Sequence, residues 1–269
     1  MAGNLYIISL FLKTTILKSG SNKLYYMLVK LDNPAAFVKA IDVVSELVTE
    51  VRLKVNDSGI SITAIDPANV AMVGFTIPKS SFSQFETGPE VLGLNLDSLK
   101  KILRRCSSGS SVILEKKGGV LGIQIYDRIK RNFTLSLIDV EREEKEMPNL
   151  NFNSSVKMNS VDFIDSVEDC AVVADACSFI IKEGKFMIEA RGMNSARSEF
   201  SGDEAEITSE TGNVKSRYSL EYLQKFAKGA KLAEKTVLKF SEDHPLRMDL
   251  KTESMEMSFI LAPRVETVD

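Results

Sequence analysis

One long internal repeat limits the possible folds of this sequence more than any other feature. Residues 33–48 and residues 159–173 each place apolar side chains three or four positions apart, the spacing of one helix face. A polar residue ahead of each stripe can cap the helix, Asn33 in the first copy and Ser160 in the second. The copies lie about 125 residues apart, too far for a solenoid but suitable for a duplicated domain. The two stripes consist of Phe37, Ile41, Val44 and Val48, and of Phe163, Ile164, Val167 and Ala171.

The elements after each of these helices also repeat in the same order. An alternating hairpin comes first, at residues 51–65 and again at residues 179–190. A second amphipathic helix follows, at residues 96–106 and at residues 219–231. The closing strands correspond in pairs, 112–115 with 237–240 and 133–138 with 257–261. The sequence therefore predicts an α+β fold of two tandem similar domains with antiparallel sheets.

The repeat also sets the expected divisions of the chain. Between the two copies lies a segment that is charged at one end and contains Pro148, as expected for an exposed connector. The predicted divisions are an N-terminal extension at 1–27, a first domain at 28–139, a connector at 140–153, a second domain at 154–266 and a tail at 267–269.

The N-terminal extension contains an apolar run at residues 5–12. This run is shorter than the roughly 20 residues that span a bilayer, and no basic residue precedes it as in a signal peptide. No membrane association is expected. Two interpretations stay open: Met27 is the native start, or residues 1–26 form an appended strand or a partner-binding tail.

Positive charge is concentrated on particular helices, although the whole chain has a net charge of −3. One basic helix face is most simply a solvated surface. Two equivalent basic helices instead favour a surface that contacts phosphates without reading bases. The first helix of the second domain differs, because it carries Asp162, Asp165, Glu168 and Asp169. The candidate phosphate-facing residues are Lys39, Lys100, Lys101, Arg104, Arg105, Lys225, Lys228 and Lys231.

Few residues suited to catalysis or metal binding are present. The single histidine, His244, removes the usual general base, and there is no Gly-rich phosphate loop of Walker type. The unpaired set Cys106, Cys170 and Cys177 is typical of a reducing, intracellular compartment. No cofactor or metal is expected. A nuclease remains the alternative, with a carboxylate run as candidate metal ligands, although such linker runs are usually solvated. That run contains Glu141, Glu143, Glu144 and Glu146. Asp66 follows a strand, where catalytic residues often lie, but no polar partner for it is identifiable nearby.

Four short motifs carry a resemblance: LAPRVE at residues 261–266, IDPANVAMV at 65–73, LIDVE at 137–141 and DHPL at 243–246. They resemble those of one family, the proliferating cell nuclear antigen type of DNA sliding clamp, in its archaeal form, for which a cytoplasmic or nucleoid location is expected. Together with the repeat, the resemblance covers about residues 28–266.

The resemblance implies a non-enzymatic processivity factor that encircles duplex DNA. In this family two helices per domain line a central hole, sheets form the outside, and three protomers close head-to-tail. The implied partners are double-stranded DNA, a clamp loader, and DNA polymerase, flap nuclease and DNA ligase, which dock through short peptide motifs. A homotrimer and a heterotrimer with related subunits are both open, and a checkpoint-type clamp subunit is a further alternative.

Two sets of site residues are carried over from the resemblance. Protomers are expected to pair through edge strands near residues 127–134 and 194–201, with ordinary surface strands as the alternative. For the docking pocket the alternative is that Val70, Met72 and Ile260 are simply core residues. The expected pocket residues are Ile65, Asn69, Val70, Met72, Val140, Met147, Pro148, Pro245, Ile260, Ala262 and Pro263. The expected interface residues are Arg128, Lys130 and Arg131, facing Arg197, Glu199 and Asp203.

Overall fold

The computed structural model describes residues 27–141 and 145–264. Within these ranges it contains four helices and eighteen strands. Met27 is fully buried at the start of the described chain, and its carbonyl accepts the Lys116 amide at 3.0 Å. The expectations about residues 1–26 and 267–269 lie outside the described residues. No helix in the described parts of the chain is long and apolar enough to cross a membrane.

The elements follow the same order in both halves of the chain. The first domain contains β1 (Leu28–Leu31), α1 (Ala35–Val44), β2 (Glu50–Asn56), β3 (Gly59–Ile65), β4 (Ala71–Pro78), β5 (Gln84–Glu86), β6 (Glu90–Asn95), α2 (Leu96–Leu103), β7 (Ser111–Lys117), β8 (Val120–Tyr126) and β9 (Lys130–Ser136). The second contains β10 (Ser154–Asn159), α3 (Ser160–Val173), β11 (Ala176–Lys182), β12 (Lys185–Arg191), β13 (Ser195–Phe200), β14 (Ala205–Ser209), β15 (Val214–Ser219), α4 (Leu220–Ala230), β16 (Lys235–Phe240), β17 (Leu246–Lys251) and β18 (Glu256–Leu261). The predicted α+β fold of two tandem similar domains is confirmed.

Turn chemistry fixes the two matching hairpins. Between β11 and β12, Glu183 and Gly184 both have positive φ, which a two-residue hairpin turn requires. At the start of β3, Gly59 has a φ of 139°, and a Cβ there would lie 2.1 Å from the Ile77 carbonyl oxygen. Only glycine fits that position, because the turn backbone runs directly against the neighbouring strand.

All strand pairing is antiparallel, and it arranges the strands in three sheets. The first has the order β5-β1-β7-β8-β9 and the last the order β13-β12-β11-β15. The middle sheet has nine strands, β14-β10-β16-β17-β18-β4-β3-β2-β6, and it crosses from one domain to the other where β18 pairs with β4. In that pair Phe259 lies opposite Val73 and Ile260 opposite Met72. The two domains therefore share one continuous sheet.

The four helices pack side by side in one row, which we call the helix layer. Helix α1 contacts α2 in its own domain and α4 in the other, and α4 contacts α3. The row therefore runs α2-α1-α4-α3 across both domains. Helix α4 approaches α1 closely because of Gly229, where a Cβ would lie 2.8 Å from Phe259 Cζ and 3.4 Å from Val43 Cγ1.

Helix caps and ends differ in detail from the sequence prediction. Asn33 Oδ1 accepts the Ala35 amide at 3.2 Å, but the residue directly before α1 is Pro34 rather than Asn33, and α1 ends at Val44 rather than at Val48. The Ser160 hydroxyl does not cap α3; it lies 2.8 Å from the Thr236 hydroxyl in a buried contact. Ser160 already belongs to the helix, because Asn159 supplies the extended residue before it.

Candidate functional site

The basic side chains of the helix layer divide into two groups. Lys39, Lys101, Arg105 and Lys231 are exposed and form no ion pair with another described residue. The others are engaged by carboxylates of α4, of α1 or of the turn after α1, although Arg104 and Lys228 are themselves exposed. The contacts are Lys100 Nζ to Ser45 Oγ at 2.8 Å and to Asp42 at 3.6 Å, Arg104 Nε to Asp42 at 3.3 Å, Lys228 Nζ to Glu46 at 2.9 Å, and Lys225 Nζ to Glu221 at 3.0 Å.

These contacts gather cations from α2 and α4 around α1. Glu46 lies between Lys100 at 3.9 Å and Lys228 at 2.9 Å, so it connects the second helices of the two domains. The hydrogen bond from Lys228 is the main reason that the pKa of Glu46 lies below its ordinary value. The Lys100 side chain is only 17% exposed, which leaves it less available than Lys101 to an external phosphate.

Helix α3 has the opposite character at the end of the helix layer. Asp165, Glu168 and Asp169 are exposed, as are Val161 and Val172. This helix also packs beside β13, which is an edge strand. The acidic helix therefore lies between the edge strand β13 and the basic helix α4, and Asp165 and Glu168 line a groove together with Lys231 at the end of α4.

The expected pocket residues gather on the outer face of the nine-stranded sheet. Strand register puts Ile65 opposite Met72, and Met72 opposite Ile260, in one row across the two domains. Met72 is half-buried, whereas Ile260 is only 6% exposed. Ile260 is therefore largely a packing residue, in line with the alternative stated for it, and Met72 offers more accessible surface.

The loop between β3 and β4 borders this face of the sheet. Asn69 has a φ of 56° and is exposed. The carbonyl of the next residue, Val70, accepts the Ala262 amide at 2.9 Å. Asp66, considered from the sequence as a possible catalytic residue, instead accepts the amides of Val70 and Ala71, both at 2.7 Å. The β3–β4 loop and the segment after β18 are therefore tied together by a backbone hydrogen bond.

Sequence reasoning found no polar partner for Asp66, but the fold supplies one. The Tyr222 hydroxyl donates to Asp66 Oδ2 at 2.7 Å, from α4 of the other domain. Burial alone would raise the pKa of Asp66, but the Ala71 amide and the Tyr222 hydroxyl bring it below its ordinary value. No sequence pattern links these two residues, since 156 positions separate them.

The connector lies against the sheet at two points. Val140 is 6% exposed, and its carbonyl accepts a hydrogen bond from Arg52 at 2.5 Å. Met147 lies over Gly74, where a Cβ would come within 3.0 Å of Met147 Cγ. Pro148 and Pro245 are half-buried, as are Ala262 and Pro263. The expected pocket residues thus share one side of the molecule, apart from Val140, which covers the β2–β6 end of the sheet.

The two expected interface segments are both edge strands. Among the strands that the structure describes, β9 pairs only with β8 and β13 only with β12. Arg131 forms an ion pair with Asp127 of its own chain, and Glu199 is held by Lys185 at 2.6 Å and Arg197 at 2.8 Å. Arg128, Lys130 and Asp203 are exposed.

The carboxylates considered for a metal site are only partly described. Glu141 and Glu146 are exposed, and Glu143 and Glu144 lie outside the described residues. Within residues 27–141 and 145–264, no three His, Cys, Asp or Glu side chains are grouped closely enough to hold a metal ion.

Comparison with known proteins identifies the family. The family models for the N-terminal and C-terminal domains of proliferating cell nuclear antigen match residues 27–147 and 146–265. The DNA polymerase sliding clamp of Pyrococcus furiosus is 35% identical over 243 residues, which are 86% of this chain and 95% of the relative. DNA polymerase sliding clamp 1 of Thermococcus kodakarensis is 34% identical over 247 residues, 88% of this chain and 98% of the relative.

Solved structures show the same fold. The proliferating cell nuclear antigen of Entamoeba histolytica superposes with a TM-score of 0.83 at 24% identity, covering 89% of this chain and 99% of that one. The protein of the same name from Thermococcus kodakaraensis also gives a TM-score of 0.83 at 24% identity, covering 88% of this chain and 100% of that one. The expected resemblance is confirmed, and the chain belongs to the proliferating cell nuclear antigen family.

Proposed function

We propose that this chain is the protomer of a ring-shaped sliding clamp that encircles duplex DNA and docks replication and repair proteins. The observation that carries the proposal is the junction between the two domains. There β4 pairs with β18, while their counterparts in the other copies of the repeat, β13 and β9, are both open edges. The β9 edge of one protomer can therefore pair with the β13 edge of the next, as β18 pairs with β4 inside the chain.

Equivalent positions in the two domains can be assigned from strand pairing. The pair Ile65–Met72 between β3 and β4 corresponds to the pair Arg191–Ser195 between β12 and β13. The next residue along each edge strand is then also equivalent, so Val73 corresponds to Ala196. The pair Ile125–Arg131 between β8 and β9 corresponds to the pair Leu250–Met257 between β17 and β18. Two residues further along β9 and β18, Phe133 therefore corresponds to Phe259. Applying the β18–β4 register to the open edges puts Phe133 of one protomer opposite Ala196 of the next.

This register matches charges across the proposed interface. It puts Lys130 opposite Glu199, the counterparts of Glu256 and Thr76 in the internal pair. It also puts Asn132 opposite Arg197. Closely spaced opposite charges on facing strands stabilise the pair, by roughly 0.2–1 kcal/mol each at exposed positions.

The acidic helix finds a partner in the same arrangement. Equivalent backbone hydrogen bonds, Leu96 to Thr49 and Leu220 to Asp175, align the helices of the two domains. In this alignment Gly229 corresponds to Arg105, and Val43 corresponds to Asp169. Since Gly229 lies beside Val43 in the internal junction, Arg105 of one protomer would lie beside Asp169 of the next. Asp169 of α3 would therefore meet the basic end of α2 of a neighbour, which favours a ring made of one kind of chain.

The helix layer suits sequence-independent contact with duplex DNA. In a closed ring the exposed cations Lys39, Lys101 and Lys231 would face the hole, whereas Arg105 would lie at the junction with the next protomer. Contacts of Lys and Arg to phosphates carry no sequence information, so such a ring is free to slide. The pocket on the outer face, with Met72 at its centre, would take client peptides of a polymerase, flap nuclease or ligase, and a loader would open the ring. We expect no catalytic activity of the chain itself.

Two measurements test the function together. The native mass of the purified chain is expected to equal three protomers. Rings placed on circular plasmid by a clamp loader are expected to remain through a salt wash and to leave when the plasmid is cut once. Retention on the linear product would show binding without encirclement, and Mg²⁺-dependent cleavage of the plasmid would support the nuclease alternative instead.

A further inference from the structure

Asp66 is a buried carboxylate that organises the β3–β4 loop. It is 4% exposed. Its Oδ1 atom accepts the amides of Val70 and Ala71, both at 2.7 Å, and its Oδ2 atom accepts the Ala68 amide at 3.1 Å. A buried carboxylate needs such donors, because leaving it unsatisfied costs more than the loss of one ordinary hydrogen bond. The conformation of the loop therefore depends on the position of this one side chain.

The remaining donor to Asp66 comes from the other domain. Tyr222 lies in the first turn of α4, and its hydroxyl is 2.7 Å from Asp66 Oδ2. Burial raises the pKa of Tyr222 to about 12, so at neutral pH the hydroxyl keeps its proton and donates. The Lys225 ammonium lies 4.9 Å from the Tyr222 ring centre, which further orients the ring on the helix.

The loop that Asp66 holds is one side of the docking pocket. Val70 supplies a pocket side chain, and its carbonyl accepts the Ala262 amide at 2.9 Å from the segment after β18. A shift of Asp66 would therefore move the β3–β4 loop and the segment after β18 together. Tyr222 lies on helix α4, whereas Ile65, Met72 and Ile260 form a row across the nine-stranded sheet.

We propose that Tyr222 is a positioning residue for the docking pocket, acting through Asp66 to hold the pocket loop of the first domain from a helix of the second. The inference rests on the proposed docking function. It makes the pocket a property of both domains, linked to the DNA-facing helix α4, rather than a groove within the first domain alone.

The test uses the full-length clamp, as wild type and as a Tyr222→Phe variant. The substitution keeps the aromatic ring of the side chain and removes only its hydroxyl. The probe is a fluorescein-labelled peptide with an aliphatic residue one helical turn before two adjacent aromatic residues, followed by anisotropy. Loss of one hydrogen bond to a buried carboxylate is expected to weaken peptide binding by roughly tenfold. The matched control is Tyr126→Phe, which removes a hydroxyl bonded to Gln124 at 2.7 Å, away from the pocket; it should bind like wild type.

A second measurement separates positioning from general destabilisation. Amide hydrogen exchange in Tyr222→Phe is expected to accelerate at Val70 and Ala71 but not in β7 or β16. Adding Asp66→Asn to Tyr222→Phe should weaken peptide binding by less than the product of the two single effects, since both act on one contact. Unchanged peptide affinity and unchanged exchange at Val70 and Ala71 would overturn the inference. Failure of the wild-type ring to bind the peptide would instead overturn the docking function itself.

Discussion

The junction inside the chain and the junction proposed between chains use the same fold but different chemistry. Inside the chain, Phe259 is fully buried, stacks on Phe226 at 4.5 Å, and lies against Gly229. At the open edges the corresponding helix positions are the exposed charges Asp169 and Arg105. An apolar junction is permanent, whereas one that depends on exposed ion pairs weakens with salt and can open. The difference suits a ring whose domains stay joined while its protomers separate for loading.

Charge reversal at the proposed junction should have the largest effect. Asp169→Arg would put like charges against Arg105 of each neighbour, which costs several kcal/mol at each interface. The ring is expected to dissociate, with a dissociation constant raised by roughly a hundredfold or more. Sedimentation velocity would measure it. Asp57→Arg, an equally exposed reversal in the β2–β3 turn, is the control. Restoration of the ring by adding Arg105→Asp would identify the pair, and a trimer in the single variant would exclude it.

A change at the internal junction should instead reduce folding stability. In Gly229→Ala the new Cβ would lie 2.8 Å from Phe259 Cζ. Overpacking of this kind costs about 1–3 kcal/mol, partly offset by the better helix propensity of alanine. Urea unfolding of the variant would measure this loss. Gly119→Ala, where a Cβ meets nothing within 4 Å, serves as the matched control. Equal stability of the two variants would mean that the internal junction tolerates more than its packing indicates.

Docking should be separable from ring formation, because Met72 lies on the outer face of the internal junction. Met72→Ala is expected to weaken binding of the labelled peptide by about tenfold, as at other partly buried apolar contact residues. The native mass should not change. The single variant is a cleaner test than a double change with Ile260→Ala, because Ile260 is 6% exposed and its truncation would also cost folding stability. Full peptide affinity in Met72→Ala would remove the pocket assignment.

The smallest effect separates the two groups of cations on α2. Lys101 is exposed, whereas Lys100 is engaged by Ser45 and the carboxylates of α1. The association constant for a short DNA duplex falls as salt rises, and Lys101→Gln should make this dependence less steep. In a plot of log association constant against log salt concentration, the magnitude of the slope should fall by about one for each phosphate that the lysine neutralises. Lys100→Gln should leave that slope nearly unchanged and reduce stability instead. A larger change of the salt dependence in Lys100→Gln than in Lys101→Gln would mean that the ion pairs of Lys100 break when the protein binds DNA.

Much of the fold could be predicted from the sequence because the repeat carries strong local signals. Apolar spacing located all four helices, and the Glu183–Gly184 turn signalled the second hairpin. The end of α1 was predicted late, since Val48 is buried by tertiary packing after the helix has ended at Val44. Ser160 was misjudged as a cap, because Thr236 competes for its hydroxyl and is distant in sequence.

The candidate site was predictable as a set of positions but not as a set of contacts. The basic residues of α2 and α4 were visible in the sequence, yet which of them form ion pairs depends on Asp42 of α1 and on Glu46 in the turn after it. Tyr222 was missed altogether, because its role depends on a contact between domains. The domain boundaries, the DNA-facing set, the pocket set and the interface set remain predictions.

The most direct measurement of the central claim is cysteine cross-linking at the proposed register. Asn132→Cys with Arg197→Cys, in a background with Cys106→Ser, is expected to give a covalent trimer on mild oxidation, because facing strand residues lie within disulfide range. Asn132→Cys with Glu199→Cys, displaced by two residues along β13, is expected to cross-link poorly. A covalent trimer in the first pair alone would support the repeated junction. Monomers in both, or efficient linkage only in the displaced pair, would contradict it.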